Sequence, residues 1–556
     1  MLKLMLLPRL RRFAAVLVLA GANLTVAAAP TEPPRLLHRD GRTALMVDGA
    51  PFVMLGAQVH NSSNYPHTLK QVWPAVRQMN ANTVEVPIAW EQVEPVEGRF
   101  DFSFVDTLVK QARENKVRLV LLWFGTWKNT GPSYTPAWVK LDNKRFPRMV
   151  DKDGKTIYCL SPFGEETLKA DRRAFVAFMA HLKKIDQGRY TVIMVQPQNE
   201  VGTYGTVRDF APRAQAVFEQ PVPRAVLDRK KSPVALAASG TWRQVYGDFA
   251  DEYFHAWAMA RFIEEMAKAG RAVYDLPMYV NNALRQVAEP IKPWNNDFAS
   301  GGPTYDVIDI YKAVAPHIDI VGPDIYTGAE SAKFTAALDK FQRPDNVLFV
   351  PEMSNLPGFV RHVYQVLGRG AIGVAPFGID YTDYTNFPLG SKITGKAMVE
   401  PFAPAYAMFR AIERPWARWA FEGRTYGIAE GDDRKPQSVA MKGWKATVTF
   451  QEWMFGEKKW EGYTKDIPAG METPAGGVAI AQSGDDEFFV VGQHARLRIE
   501  PLLATDTNTI IVSAEEGRFD SAGRWVVERV WNGDQTDWGF NLTATPRVLK
   551  IKLGRY

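Results

Sequence analysis

The stretch MVQPQNEVGTYG, residues 194–205, ends an apolar run with an amide and a carboxylate side by side. Residues 191–195 have the composition of a buried strand, and Pro197 interrupts the run just before Asn199 and Glu200. A carboxylate in such a place is costly unless it is solvated, paired or used in chemistry. The stretch therefore predicts a strand whose carboxyl end opens onto a polar site.

Similar apolar runs occur on both sides of this stretch and alternate with helical patterns. Eight runs are predicted as strands: 52–59, 82–90, 117–124, 191–200, 277–283, 318–326, 346–355 and 371–380. Helical spacing of apolar residues predicts helices over 69–80, 102–116, 166–185, 250–269, 305–316 and 358–370. Gly270 is the predicted end of the fourth helix.

This alternation predicts an α/β fold. Strands that are apolar along their whole length indicate a parallel sheet that is buried on both faces. Eight strand–helix units predict a (β/α)8 TIM barrel. An open doubly wound sheet is the alternative, and the lack of a glycine-rich phosphate loop after the first strand disfavours it.

Composition divides the chain into three segments. Residues 1–29 have the basic start, apolar centre and small final residues of a secretory signal peptide. We therefore expect an exported protein, periplasmic or secreted, with no membrane contact after cleavage. Residues 30–408 hold the predicted barrel, with an inserted loop at 206–248 over one end. Residues 409–556 contain short alternating strands and predict a C-terminal all-β domain, sandwich-like in form.

Charge and cysteine content exclude several kinds of site. The net charge of +6 is spread along 556 residues, so we expect no nucleic-acid partner. A single cysteine, Cys159, excludes a disulfide framework and a thiolate zinc site within one chain. We expect no metal and no cofactor, because His60 has no second histidine at ligand spacing. The 16 tryptophans are typical of sugar-binding clefts and equally of large aromatic cores. The oligomeric state stays unknown.

The carboxyl ends of the predicted strands supply the candidate site. In a barrel these ends face the active-site mouth. The candidates are Gln58, Asn61, Trp90, Glu91, Trp127, Asn199, Glu200, Asn281, Tyr326 and Glu352. Two carboxylates across such a mouth are what glycoside hydrolysis requires, since one protonates the leaving oxygen and the other attacks or activates water. Lys128 and Asp324 also follow strands, and a structural ion pair explains them as well as a substrate contact does.

Two motifs resemble those of clan A glycoside hydrolases. WEQVEPVEGRFDF, residues 90–102, resembles the strand-two segment of family 35 and family 42 β-galactosidases, and residues 194–205 resemble the family 35 acid/base motif. Most of the chain after residue 40 resembles the bacterial branch of family 35 with a C-terminal β-domain, which is associated with plant cell-wall galactosides. The resemblance implies four roles: acid/base for Glu200, nucleophile for Glu352, a sugar 2-hydroxyl contact for Asn199, and a hydrogen bond to the nucleophile for Tyr326.

The implied activity is that of a retaining exo-β-galactosidase. It would remove terminal β-galactosyl residues from plant cell-wall-type oligosaccharides by a double displacement. The motif departs from the family at Gln198, where glutamate is usual, at Val201, where an aromatic is usual, and at Phe377, where tryptophan is usual. The alternatives are another clan A β-glycosidase, such as a β-glucosidase or β-mannanase, and a non-catalytic carbohydrate-binding barrel.

Overall fold

The computed structural model describes residues 32–229, 232–283, 285–327, 330–450, 473–503, 508–520 and 522–556. The predicted signal peptide, residues 1–29, lies outside the described residues. Within these ranges no helix combines the length and the apolar character that a membrane crossing needs.

Eight parallel strands form a barrel, and each coincides with a predicted strand. They are β1 (Met54–Gln58), β2 (Thr83–Ala89), β3 (Arg118–Lys128), β4 (Val192–Asn199), β5 (Tyr279–Ala283), β6 (Ile320–Ile325), β7 (Val350–Met353) and β8 (Gly373–Pro376). Hydrogen bonding follows the order β5-β6-β7-β8-β1-β2-β3-β4. The Val195 N–H donates to the Pro277 carbonyl at 3.0 Å, which brings β4 beside β5 and nearly closes the ring. The predicted TIM barrel is confirmed.

A helix follows each barrel strand. The helices are α1 (Leu69–Met79), α2 (Ser103–Glu114), α3 (Glu165–Asp186), α4 (Ala250–Val273), α5 (Ile308–Val314), α6 (Ser331–Phe341), α7 (Val360–Gly368), α8 (Ala403–Ala411) and a further α9 (Glu413–Phe421). The prediction that α4 ends at Gly270 is wrong, because the helix continues to Val273. A Cβ at Gly270 would lie 2.5 Å from the Phe175 ring, so the glycine serves the close packing of α4 on α3.

Shorter elements lie before, between and after the barrel strands. An antiparallel sheet of Arg35–Arg39, Arg42–Val47 and Ala50–Phe52 precedes β1, and Leu45 and Phe52 pack onto the apolar residues inside the barrel. A hairpin of Arg148–Val150 and Thr156–Leu160 follows β3. The remaining helical turns are Trp90–Val93, Ala137–Lys140, Pro212–Phe218, Arg224–Leu227, Trp242–Tyr246, Gly247–Phe249, Pro357–Phe359, Lys396–Val399 and Gly533–Gln535. Three of them lie in the predicted insertion at 206–248.

The C-terminal region consists of two antiparallel sheets around one core, which confirms the predicted all-β domain. One sheet has the order Thr425–Ala429, Gly477–Gln482, Glu487–Gln493, Arg547–Arg555, Thr509–Phe519 and Trp525–Val530. The other has the order Gln437–Met441, Trp444–Phe450, Ala495–Pro501 and Phe540–Leu542. Trp444 and Leu497 of the second sheet share a core with Val490 and Leu549 of the first. The predicted boundary at residue 409 stays a prediction.

Helix α7 joins the barrel to this domain. The Tyr364 hydroxyl donates to Gln493 Oε1 at 2.9 Å. A Cβ on Gly368 would lie only 2.3 Å from the Cα of Gly427, so the helix and the first strand of the domain touch backbone to backbone. Such an approach requires glycine on both sides of the contact.

Candidate active site

The turn after β4 that carries Glu200 has an unusual backbone. Gln198 and Glu200 have φ values of 68° and 45°, in the left-handed region that residues other than glycine rarely adopt. The Glu200 N–H donates to Asn281 Oδ1 at 3.0 Å, which ties the turn to β5. The strain is tolerated because buried hydrogen bonds fix the turn.

Asp171 on α3 anchors the same turn from behind. Its buried carboxylate accepts hydrogen bonds from Gln198 Nε2 at 2.6 Å, Trp123 Nε1 at 2.7 Å and the Thr126 N–H at 2.9 Å. Burial raises the pKa of Asp171, although these hydrogen bonds oppose the rise. Gln198 Oε1 accepts the Trp127 N–H at 2.9 Å. An amide at position 198 therefore suits a buried carboxylate neighbour, where a glutamate would meet a like charge.

Glu352 lies in β7 and is held by two donors. The Tyr326 hydroxyl donates to Oε1 at 2.6 Å, and Gln58 Nε2 donates to Oε2 at 2.7 Å. Burial, followed by the charge of Glu200, raises the pKa of Glu352 to about 7, while Lys128, Tyr326 and Gln58 act to lower it. Both oxygens are thus fixed, and the carboxyl group titrates close to neutrality.

A third carboxylate and one lysine complete a charged cluster. One oxygen from each of Glu200, Asp324 and Glu352 lies within 4.8 Å of the others. Lys128 Nζ donates to Glu200 Oε2 at 2.9 Å, and Asn281 Nδ2 donates to Asp324 Oδ2 at 2.7 Å. Burial, then the charges of Glu352 and Glu200, raise the pKa of Asp324 well above its usual value. The ammonium of Lys128 supplies the counter-charge, so we assign no metal ion to the cluster.

The cluster borders a cavity of about 320 Å³ at the carboxyl ends of the strands. This volume is at the lower end of the range that is typical of small-molecule sites. Among the described residues, both side-chain amide atoms of Asn199, as well as Asn61 Oδ1 and Asp324 Oδ1, are buried without a hydrogen-bond partner. Buried polar atoms in native proteins are normally paired, so these atoms indicate a polar ligand.

The structure brings seven of the ten predicted residues to this site. Glu200, Glu352, Tyr326 and Asn61 line the cavity, and Gln58 and Asn281 hydrogen-bond to residues that do. Asn199 is fully buried immediately before Glu200.

The other three predicted residues lie away from the cavity. Trp90 is fully buried and donates to Glu94 Oε2 at 2.9 Å, and Trp127 packs on Phe262 of α4 with ring centroids 4.5 Å apart. Both are corrections, with different causes: Trp90 lies beyond β2 in the helical turn Trp90–Val93, and the Trp127 indole donates its N–H to the Leu160 carbonyl of the hairpin at 3.1 Å. Glu91 forms an ion pair with Lys140 at 2.7 Å outside the cavity lining.

Several cavity residues were missed by the sequence analysis because they belong to irregular loops. They are Asn129, Tyr204, Gln286, Asn386 and Leu389. Loop residues follow no hydrophobic period, so no sequence signal of the kind used above could have found them.

Comparison with known proteins relates this site to a family of enzymes. Residues 63–262 match the glycoside hydrolase family 42 model, described as a beta-galactosidase. This part of the barrel is similar to the β-galactosidase family model. The matched segment contains Lys128, Asn199 and Glu200, and it ends before Glu352. Residues 402–543 match a second model, described as a domain of unknown function, DUF5597.

Individual relatives carry the same name. "Beta-galactosidase 11" of Arabidopsis thaliana is 25% identical over 149 residues, which are 23% of this chain and 17% of that protein. "Beta-galactosidase" of Xanthomonas manihotis is 26% identical over 206 residues, which are 35% of this chain and 31% of that protein. A solved β-galactosidase from Bacillus circulans sp. alkalophilus has 11% identity and a TM-score of 0.49, over 90% of this chain and 99% of that one. The chain thus spans less than a third of either curated relative.

Proposed function

We propose that this chain is a retaining exo-β-galactosidase. The observation that carries the proposal is the facing pair of Glu200 and Glu352, which come from β4 and β7 and have carboxyl oxygens within 4.8 Å of each other. Retaining glycosidases hold their two carboxyl groups about 5 Å apart, whereas inverting enzymes leave room for a water molecule between them. The hydrogen bond from Tyr326 fixes one oxygen of Glu352 and leaves the group aimed into the cavity.

In the proposed reaction Glu352 attacks the anomeric carbon of the bound sugar. Glu200 gives its proton to the leaving oxygen as the glycosidic bond breaks, and a glycosyl ester forms on Glu352. Glu200, now ionised, takes a proton from water, and the water oxygen displaces Glu352. Two inversions return the β configuration. The unpaired amide of Asn199 is the group that we assign to the sugar 2-hydroxyl.

The finer parts of the proposal concern the substrate and the location. A small cavity at a strand end suits one terminal sugar, and we propose a β-galactosyl residue of a plant cell-wall-type oligosaccharide, as in the bacterial branch of family 35. The basic and apolar start of the chain supports export to the periplasm or beyond. Cell fractionation with N-terminal sequencing of the mature protein tests the export. An uncleaved cytoplasmic chain would refute it.

A panel of nitrophenyl glycosides tests the activity and the sugar. We expect the β-galactoside to be hydrolysed fastest, with β-galactose as the first product in proton NMR. Faster hydrolysis of the β-glucoside or β-mannoside would show that the proposed sugar is wrong. α-Galactose as the first product would refute the retaining mechanism. No turnover of any glycoside, together with sugar binding in calorimetry, would identify a binding protein.

Azide tests the role of Glu200. A nitrophenolate leaving group needs little protonation, so Glu200→Ala should form the glycosyl ester but hydrolyse it slowly. Azide needs no general base, and we expect it to restore turnover and to yield β-galactosyl azide. Gln198→Ala is the control, since the neighbouring change leaves the carboxylate in place and azide should not accelerate it. An α-azide product, or no rescue, would remove Glu200 from the acid/base role.

A further inference from the structure

Lys128 is a buried cation beside the proposed catalytic pair. It is the last residue of β3, its side chain is 8% exposed, and its Nζ contacts Glu200 Oε2 and Asn129 Oδ1. Burial alone would lower the pKa of Lys128, but the charges of Glu200, Glu352 and Asp324 outweigh it and raise the pKa. The side chain is therefore charged at neutral pH and cannot be read as a neutral packing group.

The number of protons held by Glu200 and Glu352 decides whether the pair can react. A double displacement starts with one proton on the pair, because Glu200 must donate it while Glu352 attacks as a carboxylate. Three buried carboxyl groups within 4.8 Å of one another repel as anions and would together take up more than one proton. A protonated Glu352 could not attack, so a cluster of carboxyl groups alone would be inactive at neutral pH.

We propose that Lys128 is a positioning residue whose ammonium keeps the pair of Glu200 and Glu352 singly protonated at neutral pH. The ammonium is the one cation within 4 Å of these carboxylates among the described residues. It compensates one negative charge of the cluster and so allows one carboxyl group of the pair to stay ionised. This inference rests on the proposed function for its kinetic consequence and on geometry for its charge balance.

The titratable groups near the pair come from several strands of the barrel. Asp324 of β6 and Tyr326 beyond it approach Glu352, and Tyr204 lies on the outer side of Glu200. Glu85 of β2 lies deeper in the barrel, where burial raises its pKa well above the usual value. None of these side chains carries a positive charge, so no other group in this set can replace the ammonium.

The experiment compares the pH dependence of kcat/KM for wild type, Lys128→Met and Lys128→Arg on a nitrophenyl β-galactoside. An opposite charge at such a distance changes a carboxyl pKa by about 1 to 3 pH units. We expect both limbs of the profile to move up by about that amount in Lys128→Met. Activity at pH 7 should fall about 10- to 1,000-fold and recover at higher pH. Lys128→Arg, which keeps the charge, should leave both limbs within about half a pH unit.

A rate loss in Lys128→Met that is equal at every pH would overturn the proposal, because it would show a merely structural role. If that variant does not fold, Lys128→Gln is the second neutral variant. It can still donate a hydrogen bond to Glu200, and it must show the same upward movement of the profile. A Lys128→Gln profile that coincides with wild type would also overturn the proposal.

A second measurement does not depend on turnover. Carbon-13 labelling of the glutamate carboxyl groups lets the Glu352 signal be titrated by NMR, with Glu352→Gln for its assignment. We expect the signal to titrate at higher pH in Lys128→Met than in wild type, and an unchanged titration would overturn the proposal. A wild-type protein that hydrolyses no glycoside would refute the proposed function, while this titration would still test the effect of Lys128.

Discussion

Replacing Gln198 by glutamate restores the residue that is usual in the family motif, and we expect it to destabilise this protein. Gln198 Nε2 lies 2.6 Å from Asp171 Oδ2, and both side chains are almost fully buried. The Gln198→Glu change places a second carboxyl oxygen at that distance. Two buried carboxylates cannot both ionise there, so one of them must hold a proton in the folded state.

The expected loss follows from that proton. A glutamate has a pKa of about 4.3 in the unfolded chain, and each pH unit is worth about 1.36 kcal/mol, so protonation at pH 7 costs about 3.7 kcal/mol. Because the folded-state pKa is raised, variant and wild type differ least below about pH 4.3 and diverge as the pH rises. For a barrel of about 380 residues the melting temperature should fall by about 5 °C at pH 7 and by less than about 1 °C at pH 4.5.

Thermal unfolding of the full chain between pH 4.5 and 7.5 measures this difference. Gln198→Met is the uncharged control, since it removes both hydrogen bonds of the Gln198 side chain, to Asp171 and from the Trp127 N–H, without adding a charge. It should lose about 1.5 to 3 kcal/mol with a much weaker dependence on pH. A Gln198→Glu variant whose melting temperature differs from wild type by the same amount at every pH would refute the reasoning.

Three further predictions concern Tyr326, Glu352 and the contact between α7 and the β-domain. Tyr326→Phe removes a hydrogen bond that lowers the pKa of Glu352, so the acid limb of kcat/KM should move to higher pH; an unchanged limb in the pH–rate profile would contradict this. Glu352→Gln should lose nearly all turnover, because an amide cannot form the glycosyl ester. The Glu352→Gln variant should also melt at a higher temperature than wild type at pH 8 but not at pH 4. The pKa of about 7, against 4.5 for the ordinary carboxyl, costs wild type about 3 kcal/mol of folding stability, at about 1.36 kcal/mol per pH unit. Equal melting temperatures at pH 8 would count against the raised pKa. In Gly427→Ala the new Cβ would lie 2.5 Å from the Tyr364 carbonyl oxygen, so calorimetry should show a lower melting temperature. Gly358→Ala, where a Cβ would meet nothing within 4 Å and where φ is likewise not positive, is the control and should change the melting temperature much less.

The barrel was predictable because its strands are buried on both faces. Such strands are apolar along their whole length, and the eight runs stand out from the amphipathic helices between them. The C-terminal sheets were harder to divide into strands. The run 487–499 predicts one strand. In the structure the chain turns at His494, whose φ is 49°, so Glu487–Gln493 belongs to one sheet and Ala495–Pro501 to the other. Gly477–Gln482 was missed, since small residues give it little strand character.

The facing pair of Glu200 and Glu352 was predictable from strand ends, whereas the positions of the tryptophans were not, because the end of β3 departs from the two-residue period. Phe124 packs inside the barrel and Trp127 packs on α4, but Thr126, which strict alternation would point inward, donates to Asp171 on α3, and the register of β3 with β4 shifts between Trp123 and Lys128. The predicted strand stopped at residue 124, four residues before its observed end at Lys128. An irregular strand end has no period from which side-chain directions can be counted, and the large aromatic residue was preferred to the lysine.

The glycine contact between Gly368 and Gly427 limits how this chain can be cut. A shortened chain that ended before Thr425 would leave Tyr364 and Gly368 of α7 open to water, and we expect it to aggregate. Because α7 begins soon after β7, whatever shifts the β-domain also pulls on the segment next to Glu352. The β-domain thus supports, through α7, one side of the cavity that contains Glu352, and exchanging the domain between relatives would require exchanging α7 with it.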